Sequence, residues 1–367
     1  MKKEVTKPLI VWAAHEGNVS GANISMLEYM DVLILDYSFH VILPHAGSMC
    51  KELDNRKILF TIIPQYGWAI TSRKSFVDKC KFYIRSYIAL KASKHLFKAL
   101  SPLFVFTNTS VSFIGAKAAF HKKIKHIWWI HELGEEHFGF TLGNGNKKYA
   151  YKKIGKWSNS IICNSKAVAN KYINLLPKAN VHVIYQPVNF KSIPEKVEKK
   201  AKFLVFGQIS DAKGSLDIVE AVNQNKLNSR KLERVYFVGP CESEHFYQLL
   251  LTKIIESNLQ EWIKIERGFF EKDKVFPFFD VLVIASKYEA FGRVIIEAGK
   301  AGLRVVVKNS GGAPELVNSS NGLIYDTIDE LSKILSGEIS LPQGILFQNY
   351  EETVELIKLK NILSELA

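Results

Sequence analysis

The 367-residue chain, 47% hydrophobic and 23% charged, has the composition of an ordinary globular protein and the length of two domains, since a single core rarely grows beyond about 250–300 residues. Its net charge of +13 is lopsided: residues 1–190 hold 26 Lys/Arg against 11 Asp/Glu, net +15, whereas residues 191–367 hold 23 against 25, net −2. No uncharged apolar run of about 18 residues suggests a spanning helix, the apolar core of MKKEVTKPLIVWAAHEGN is too short for a signal peptide, and Cys50, Cys80, Cys163 and Cys241 lack the spacing of a thiolate metal site or disulfide framework. The chain is therefore expected in the cytoplasm, with its cysteines as small buried hydrophobes.

Short β-branched or aromatic runs alternate with longer helical segments, the pattern of parallel sheets covered by helices. The first expected strand, LIVWAAH (9–15), leads into NVSGANISML (18–27), a strand-to-helix turn around Ser20, Gly21 and Ala22. HVILP (40–44) and FTIIP (60–64) follow. Residues 73–100 then read as an amphipathic basic helix, with Phe76, Cys80, Tyr83, Tyr87 and Leu90 at helical spacing and Lys74, Lys81, Arg85 and Lys91 between them. Such a helix suits an anionic membrane surface; equally, its stripe is core and its lysines are solvated. Strands FVFTNT (104–109), IWWIHE (127–132), SIICNS (160–165) and VHVIYQ (181–186) complete this series, among two further basic segments at 121–129 and 146–157. No recognised nucleic-acid module accompanies the charge, so nucleic acid is not expected as a partner.

Residues 187–202, with two prolines and a charge run, read as a linker. The alternation restarts with FLVFGQ (203–208), VYFVGP (235–240), IKIERG (263–268), VLVIAS (281–286), RVVVKN (304–309) and GLIY (322–325). The closing EETVELIKLKNILSELA carries Leu356, Leu359, Leu363 and Leu366 at helical spacing.

The most informative stretch is YEAFGRVIIEAGKAGLRVVVKNSGGAPELVNSSNGL (288–323), which sets Glu289 and Glu297 eight residues apart around Phe291 and Gly292. Glu289 follows a buried run and is expected in the loop before a helix that carries Glu297 on its second turn. Backbone N–H groups near Phe291, Gly292 and Arg293 then lie at a helix N-terminus, where an anion such as a phosphate is favoured. The bland alternative is a strand-turn-helix with two solvated glutamates.

Glu289, Phe291, Gly292, Glu297, Ala298, Gly302, Val305, Val306, Gly311, Gly312, Pro314, Glu315, Asn321 and Gly322 together resemble the E-x7-E signature and GG-x-P-E segment of the retaining GT-B glycosyltransferases of the family 4 type. The resemblance implies two Rossmann-like doubly wound domains facing each other across a cleft. Residues 1–190 would form the acceptor domain, 191–350 the nucleotide-sugar donor domain, and 351–367 a helix crossing back to the first. It implies a metal-independent hexosyl transfer with retention at the anomeric carbon, in which the donor's own phosphate oxygen takes the acceptor proton. Glu297 would accept hydrogen bonds from the ribose hydroxyls and Glu289 would hold a hydroxyl of the transferred sugar, with Phe291, Gly292 and Val294 beside the donor. FGQISDAKGSLDIVEA resembles the family's G-R-L-x-x-x-K-G loop, so Gly207 and Lys213 are expected at the leaving phosphates. Gln208 stands where the family has Arg; Arg293 is the nearby substitute unless it faces solvent. The Gly21 turn would lie over the phosphates and the acceptor, and His131 would contact the donor sugar or orient the acceptor. Glu315 is open to a capping or a ligand role. No Asp-x-Asp occurs and the histidines lack ligand spacing, so neither a metal nor a cofactor beyond the nucleotide sugar is expected, a UDP-sugar being favoured over GDP- or dTDP-sugars. The expected acceptor is a lipid-linked glycan of bacterial surface polysaccharide, met peripherally on the inner face of the plasma membrane. The alternatives are a soluble acceptor, or a sugar-nucleotide-binding module that has lost catalysis.

Overall fold

The computed structural model describes residues 7–71, 75–135, 139–190, 198–343 and 350–367. Lys74 of the basic segment and residues 191–197 of the linker lie outside the described residues. The chain divides into two units, Met1–Pro187 with Glu352–Ala367, and Val188–Glu351.

The first unit runs β1 (Leu9–Ala13), α1 (Gly21–Leu33), β2 (Ser38–Leu43), α2 (Ser48–Asn55), β3 (Leu59–Ile62), α3 (Phe76–Leu100), β4 (Phe104–Asn108), α4 (Ile114–Lys122), β5 (Lys125–Ile130), α5 (Lys147–Trp157), β6 (Ser160–Cys163), α6 (Lys166–Leu175) and β7 (Val181–Val183). The second runs β8 (Phe203–Phe206), α7 (Ser215–Leu227), β9 (Val235–Gly239), α8 (Glu244–Glu256), β10 (Ile263–Arg267), α9 (Lys272–Val275), β11 (Val281–Ile284), α10 (Arg293–Lys300), β12 (Arg304–Lys308), β13 (Gly322–Tyr325) and α11 (Ile328–Ser336). A last helix, α12 (Glu352–Leu366), returns to the first unit. Each expected strand forms. Most end one to three residues early, because the chain leaves the sheet at its carboxyl edge to build loops.

Among the described residues the strand orders are β3-β2-β1-β4-β5-β6-β7 and β10-β9-β8-β11-β12-β13, with parallel pairing throughout. Parallel sheets bury both faces, which is why strands such as FVFTN and SIIC are buried at every position. Strand alternation sends the adjacent Trp128 and Trp129 to opposite faces. Trp129 stacks near Trp12 (5.6 Å) and packs on Tyr29 of α1 (4.4 Å), whereas Trp128 lies parallel to Trp68 at 6.1 Å.

Helix α12 enters the first core through Leu359, Ile362 and Leu363, flanked by Leu356 and Leu366. Its buried Glu355 accepts from the Tyr185 backbone N–H at 2.8 Å, and the Tyr29 hydroxyl donates to the Tyr185 carbonyl at 2.6 Å. Helix α3 turns inward through Phe82, Ala89, Ser93 and Phe97. The stripe singled out in the sequence therefore points out: Phe76 (81% exposed), Cys80, Tyr83 (65%) and Tyr87 are exposed, with Leu90 half-buried at the edge. Val77, Ile84 and Ile88 widen this outward face. Among the described residues no helix is long and apolar enough to cross a membrane.

Candidate active site

In the second unit the strand order changes direction at the β8–β11 pair, where loops leaving the carboxyl ends run to opposite sides and open a crevice. Both signature loops leave from this point. Lys213, on the loop after β8, donates to Glu289 Oε2 across the crevice at 2.8 Å, and Ser286 Oγ donates to the same oxygen at 3.2 Å. The Lys287 N–H bonds the Ala212 carbonyl at 2.9 Å and joins the two loops. Two glycines make this approach possible. Gly214 (φ +69°) and Gly311 (φ +63°) adopt left-handed backbone, and a Cβ on either would lie 2.0 Å from a carbonyl oxygen, that of Ala285 or Glu289. Lys213 remains 31% exposed and Glu289 14%, so the pair is open to a ligand.

Glu289 lies in the loop, and Gly292 forms the N-cap of α10 in the left-handed region, with no side-chain cap on the first turn among the described residues. Phe291 is buried, its ring 6.5 Å from that of Tyr350, so it anchors this helix start. Val294 is half-buried one turn before Glu297. Glu297 is 7% exposed and does not stand alone: Lys272 Nζ reaches its Oε2 at 2.5 Å, and Arg293, one turn earlier, lies 4.0 Å from Oε1. Arg293 therefore folds back along its own helix and is only 13% exposed. Gln208 is exposed just beyond β8, next to Gly207, whose N–H bonds the Val238 carbonyl. Glu315 lies in the short helical turn Ala313–Leu316, its N–H on the Gly312 carbonyl.

Gly21 and His131 belong to the first unit. Gly21 opens α1 in open space, where a Cβ would meet nothing within 4 Å. The tight point of this turn is Gly17, where a Cβ would lie 2.1 Å from the His45 carbonyl oxygen. Beyond it a chain of buried amides runs across the carboxyl edge. Asn23 Nδ2 donates to the Asn18 carbonyl (2.8 Å), and Asn108 Nδ2 donates to Asn23 Oδ1 (3.1 Å). Asn108 Oδ1 accepts from His131 Nε2 (2.7 Å), and Gln186 Nε2 donates to His131 Nδ1 (2.5 Å). Both ring nitrogens of His131 are thus engaged by side-chain amides, and the ring lies parallel to Trp129 at 6.1 Å. Glu132 accepts from the Ser110 and His131 backbone N–H groups. Nearby, a hydrogen bond from His15 holds the Glu16 carboxyl below its usual range.

Sequence reading missed Lys272, Asn108 and Gln186. The first has no motif spacing to Glu297. Asn108 carried one signal, an amide at the carboxyl end of a strand that is buried at every position.

Two doubly wound parallel sheets, with a Lys–Glu pair at the switch point of the second and a return helix on the first, define the GT-B class. Solved structures share the fold. HepE from Anabaena in complex with UDP and glucose is 19% identical, with 98% of this chain and 100% of that chain covered at a TM-score of 0.74. The apo form of the lipopolysaccharide outer core galactosyltransferase WaaB is 15% identical, with 97% and 99% covered at 0.72. Residues 189–336 match the model of glycosyl transferases group 1 and residues 33–192 that of glycosyltransferase family 4, and the chain belongs to this family of glycosyltransferases. An uncharacterized 41.2 kDa protein in the cps region of Klebsiella pneumoniae is 25% identical over 162 residues, which is 38% of this chain and 45% of the relative's length.

Proposed function

We propose that the protein is a retaining, metal-independent hexosyltransferase that moves a sugar from a UDP-sugar to a lipid-linked glycan at the inner face of the plasma membrane, in bacterial surface polysaccharide assembly. The observation that carries this reading is the Lys213–Glu289 pair at the switch point. Cleaving the bond from the anomeric carbon to the diphosphate puts negative charge on the leaving group and positive charge on the ring, and an enzyme must stabilise both. An arriving diphosphate competes with Glu289 for Lys213. The carboxylate then turns to a sugar hydroxyl, and the positive end of α10 adds to the phosphate field. Glu297 offers two oxygens to the ribose diol. Lys272 and Arg293, both beside it, bring the cationic charge that Gln208 lacks. Phe269, 93% exposed on the loop that leads into α9 and Lys272, presents a flat face to the base. Both nitrogens of His131 are engaged, which favours the route in which the leaving phosphate oxygen accepts the acceptor proton.

A UDP donor draws support from the UDP-bound HepE structure, and the polysaccharide role from the names of WaaB and of the cps-region relative. The membrane reading rests on the outward face of α3, where Phe76, Val77, Tyr83, Ile84, Tyr87 and Ile88 alternate with exposed Lys79, Lys81, Arg85 and Lys91. Thermal stabilisation by a panel of UDP-, GDP- and dTDP-sugars tests the donor, because a ligand that binds the native state raises its stability according to affinity. UDP-sugars are expected to raise the melting temperature most; no shift with any donor removes the reading. Turnover that persists in EDTA, with an α-linked product from an α-linked donor, is the outcome expected of the mechanism.

A further inference from the structure

The chain of amides that ends on His131 has a direction, and the backbone carbonyls at its start fix it. Asn23, fully buried, donates from Nδ2 to the carbonyls of Glu16 (3.3 Å) and Asn18 (2.8 Å). A carbonyl only accepts, so the Asn23 amide is set with Oδ1 toward Asn108. Asn108, also fully buried, repeats the arrangement. Its Nδ2 donates to the Ala22 carbonyl (3.2 Å) and to Asn23 Oδ1 (3.1 Å), which leaves its Oδ1 for His131 Nε2 at 2.7 Å. An amide oxygen cannot donate, so the imidazole carries a proton on Nε2.

The state of Nδ1 then depends on Gln186, whose Nε2 lies 2.5 Å away. Donation from this amide requires a lone pair on Nδ1, hence an uncharged ring. Gln186 is only 3% exposed, and the residue before it is pinned on both sides. The Tyr185 N–H donates to Glu355 of α12 at 2.8 Å, and the Tyr185 carbonyl accepts from the Tyr29 hydroxyl at 2.6 Å. Because both amides are buried and His131 is half-buried, the amides hold the ring and the ring is the part a ligand can reach. The neighbouring carboxylate, Glu132, accepts with its two oxygens from the backbone N–H groups of Ser110 and His131.

We propose that Gln186 is a positioning residue for His131: by donating to Nδ1 it holds the imidazole uncharged, with its single ring N–H on Nε2, and in one orientation. What this does for the reaction rests on the transferase reading. There the sugar ring gains positive charge in the transition state, and an imidazolium beside it would oppose that charge. A ring whose lone pair is committed to Gln186 neither takes the acceptor proton nor brings a charge of its own. A carboxylate in place of the amide would act in the opposite sense, since it only accepts and would draw a second proton onto Nδ1.

The test uses the full chain with its histidine ring nitrogens labelled for NMR at neutral pH, where protonated and lone-pair nitrogens give separate signals, and His131→Gln identifies the signals of this ring. The parent should show Nε2 protonated and Nδ1 with a lone pair. Gln186→Met, of similar length but without a donor, should show a mixture of the two neutral tautomers. Gln186→Glu, which keeps a hydrogen-bonding partner, should show both nitrogens protonated. Circular dichroism melting checks that the variants fold. With the best UDP-sugar, kcat should fall about tenfold or more in both variants while the donor KM stays unchanged, the mark of lost orientation in the reacting complex. A parent ring protonated on Nδ1, or a parent-like pattern in both variants, overturns the positioning role. Altered ring patterns with unchanged kcat overturn its bearing on the reaction. A parent chain with no turnover on any donor counts against the transferase reading, while the spectra still decide the role of Gln186.

Discussion

Lys213 and Glu289 stabilise each other's charge at 2.8 Å, yet both are partly exposed, so a diphosphate can exchange into the pair with little desolvation. If Lys213 carries the leaving-group charge, Lys213→Ala should lower kcat by about 10²–10³, the cost of removing one preorganised donor in comparable sites. Steady-state turnover with the best UDP-sugar measures it, and near-normal kcat with normal donor affinity would show that another group does this work. A second residue bears on stability. His126 is fully buried in β5, its Nε2 2.9 Å from Thr107 Oγ1, and burial pushes its pKa down to about 3. The folded state then stays neutral while the unfolded chain takes up a proton below about 6.5, so stability present above that pH is lost as pH falls toward 3. Between pH 7 and pH 5 this amounts to about 2 kcal/mol. Urea unfolding at the two pH values should show a pH-dependent loss smaller by about that amount in His126→Gln than in the parent chain. Legibility differs between these residues and their neighbours. Glu289, Glu297 and Lys213 lie in ordered motifs on short segments, so spacing exposes them; Lys272 reaches Glu297 from the start of α9, a proximity that only the pairing of β8 with β9 and of β9 with β10 creates.

Helix α3 shows why a stripe can be read without knowing which way it faces. Residues 76, 80, 83 and 87 and residues 82, 89, 93 and 97 both fit helical spacing, and hydrophobicity alone favours the first set. The second set is buried because Ala89 and Ser93 are small and let α3 approach α4, whose inner residues Gly115, Ala116, Ala118 and Ala119 are small as well. The strands suffered no such ambiguity, since a strand buried on both faces is a continuous apolar run. Two substitutions separate the faces. Phe97→Ala, at a buried position, should cost about 3–5 kcal/mol of stability. Ile84→Ser with Ile88→Ser, both exposed, should each change stability by no more than about 0.5 kcal/mol, yet abolish the flotation with phosphatidylglycerol vesicles that persists at high salt. Unchanged flotation would remove the membrane role of this face. Helix α12 makes the converse case: its Leu363 is fully buried in the first core, so Leu363→Ala should cost about 2–5 kcal/mol by denaturant unfolding, although it lies far along the chain from the strands it covers.

At the scale of the molecule the charge is uneven, with net +15 on residues 1–190 and −2 on residues 191–367. On the proposed function the nucleotide-binding unit needs only local cations, which Lys213, Lys272 and Arg293 would supply within a half whose net charge is −2. In the first unit α3 concentrates basic charge beside exposed apolar side chains. Each basic residue near an anionic surface contributes about 1 kcal/mol, so Lys79, Lys81, Arg85 and Lys91 together are worth about 4 kcal/mol, close to a thousandfold in partition. Salt shortens the range of these charges from roughly 10 Å at 0.1 M to about 3 Å at 1 M and leaves apolar insertion in place. Binding to phosphatidylglycerol vesicles should therefore fall steeply with added NaCl and level off above zero. Changing the four basic residues to Gln should remove the salt-sensitive part, and Ile84→Ser with Ile88→Ser the residual part. UDP-induced thermal stabilisation should be the same in all three proteins, because the donor residues lie on the other unit. Salt-independent vesicle binding, or binding equal on neutral phosphatidylcholine, would mean that the basic half serves something other than an anionic surface.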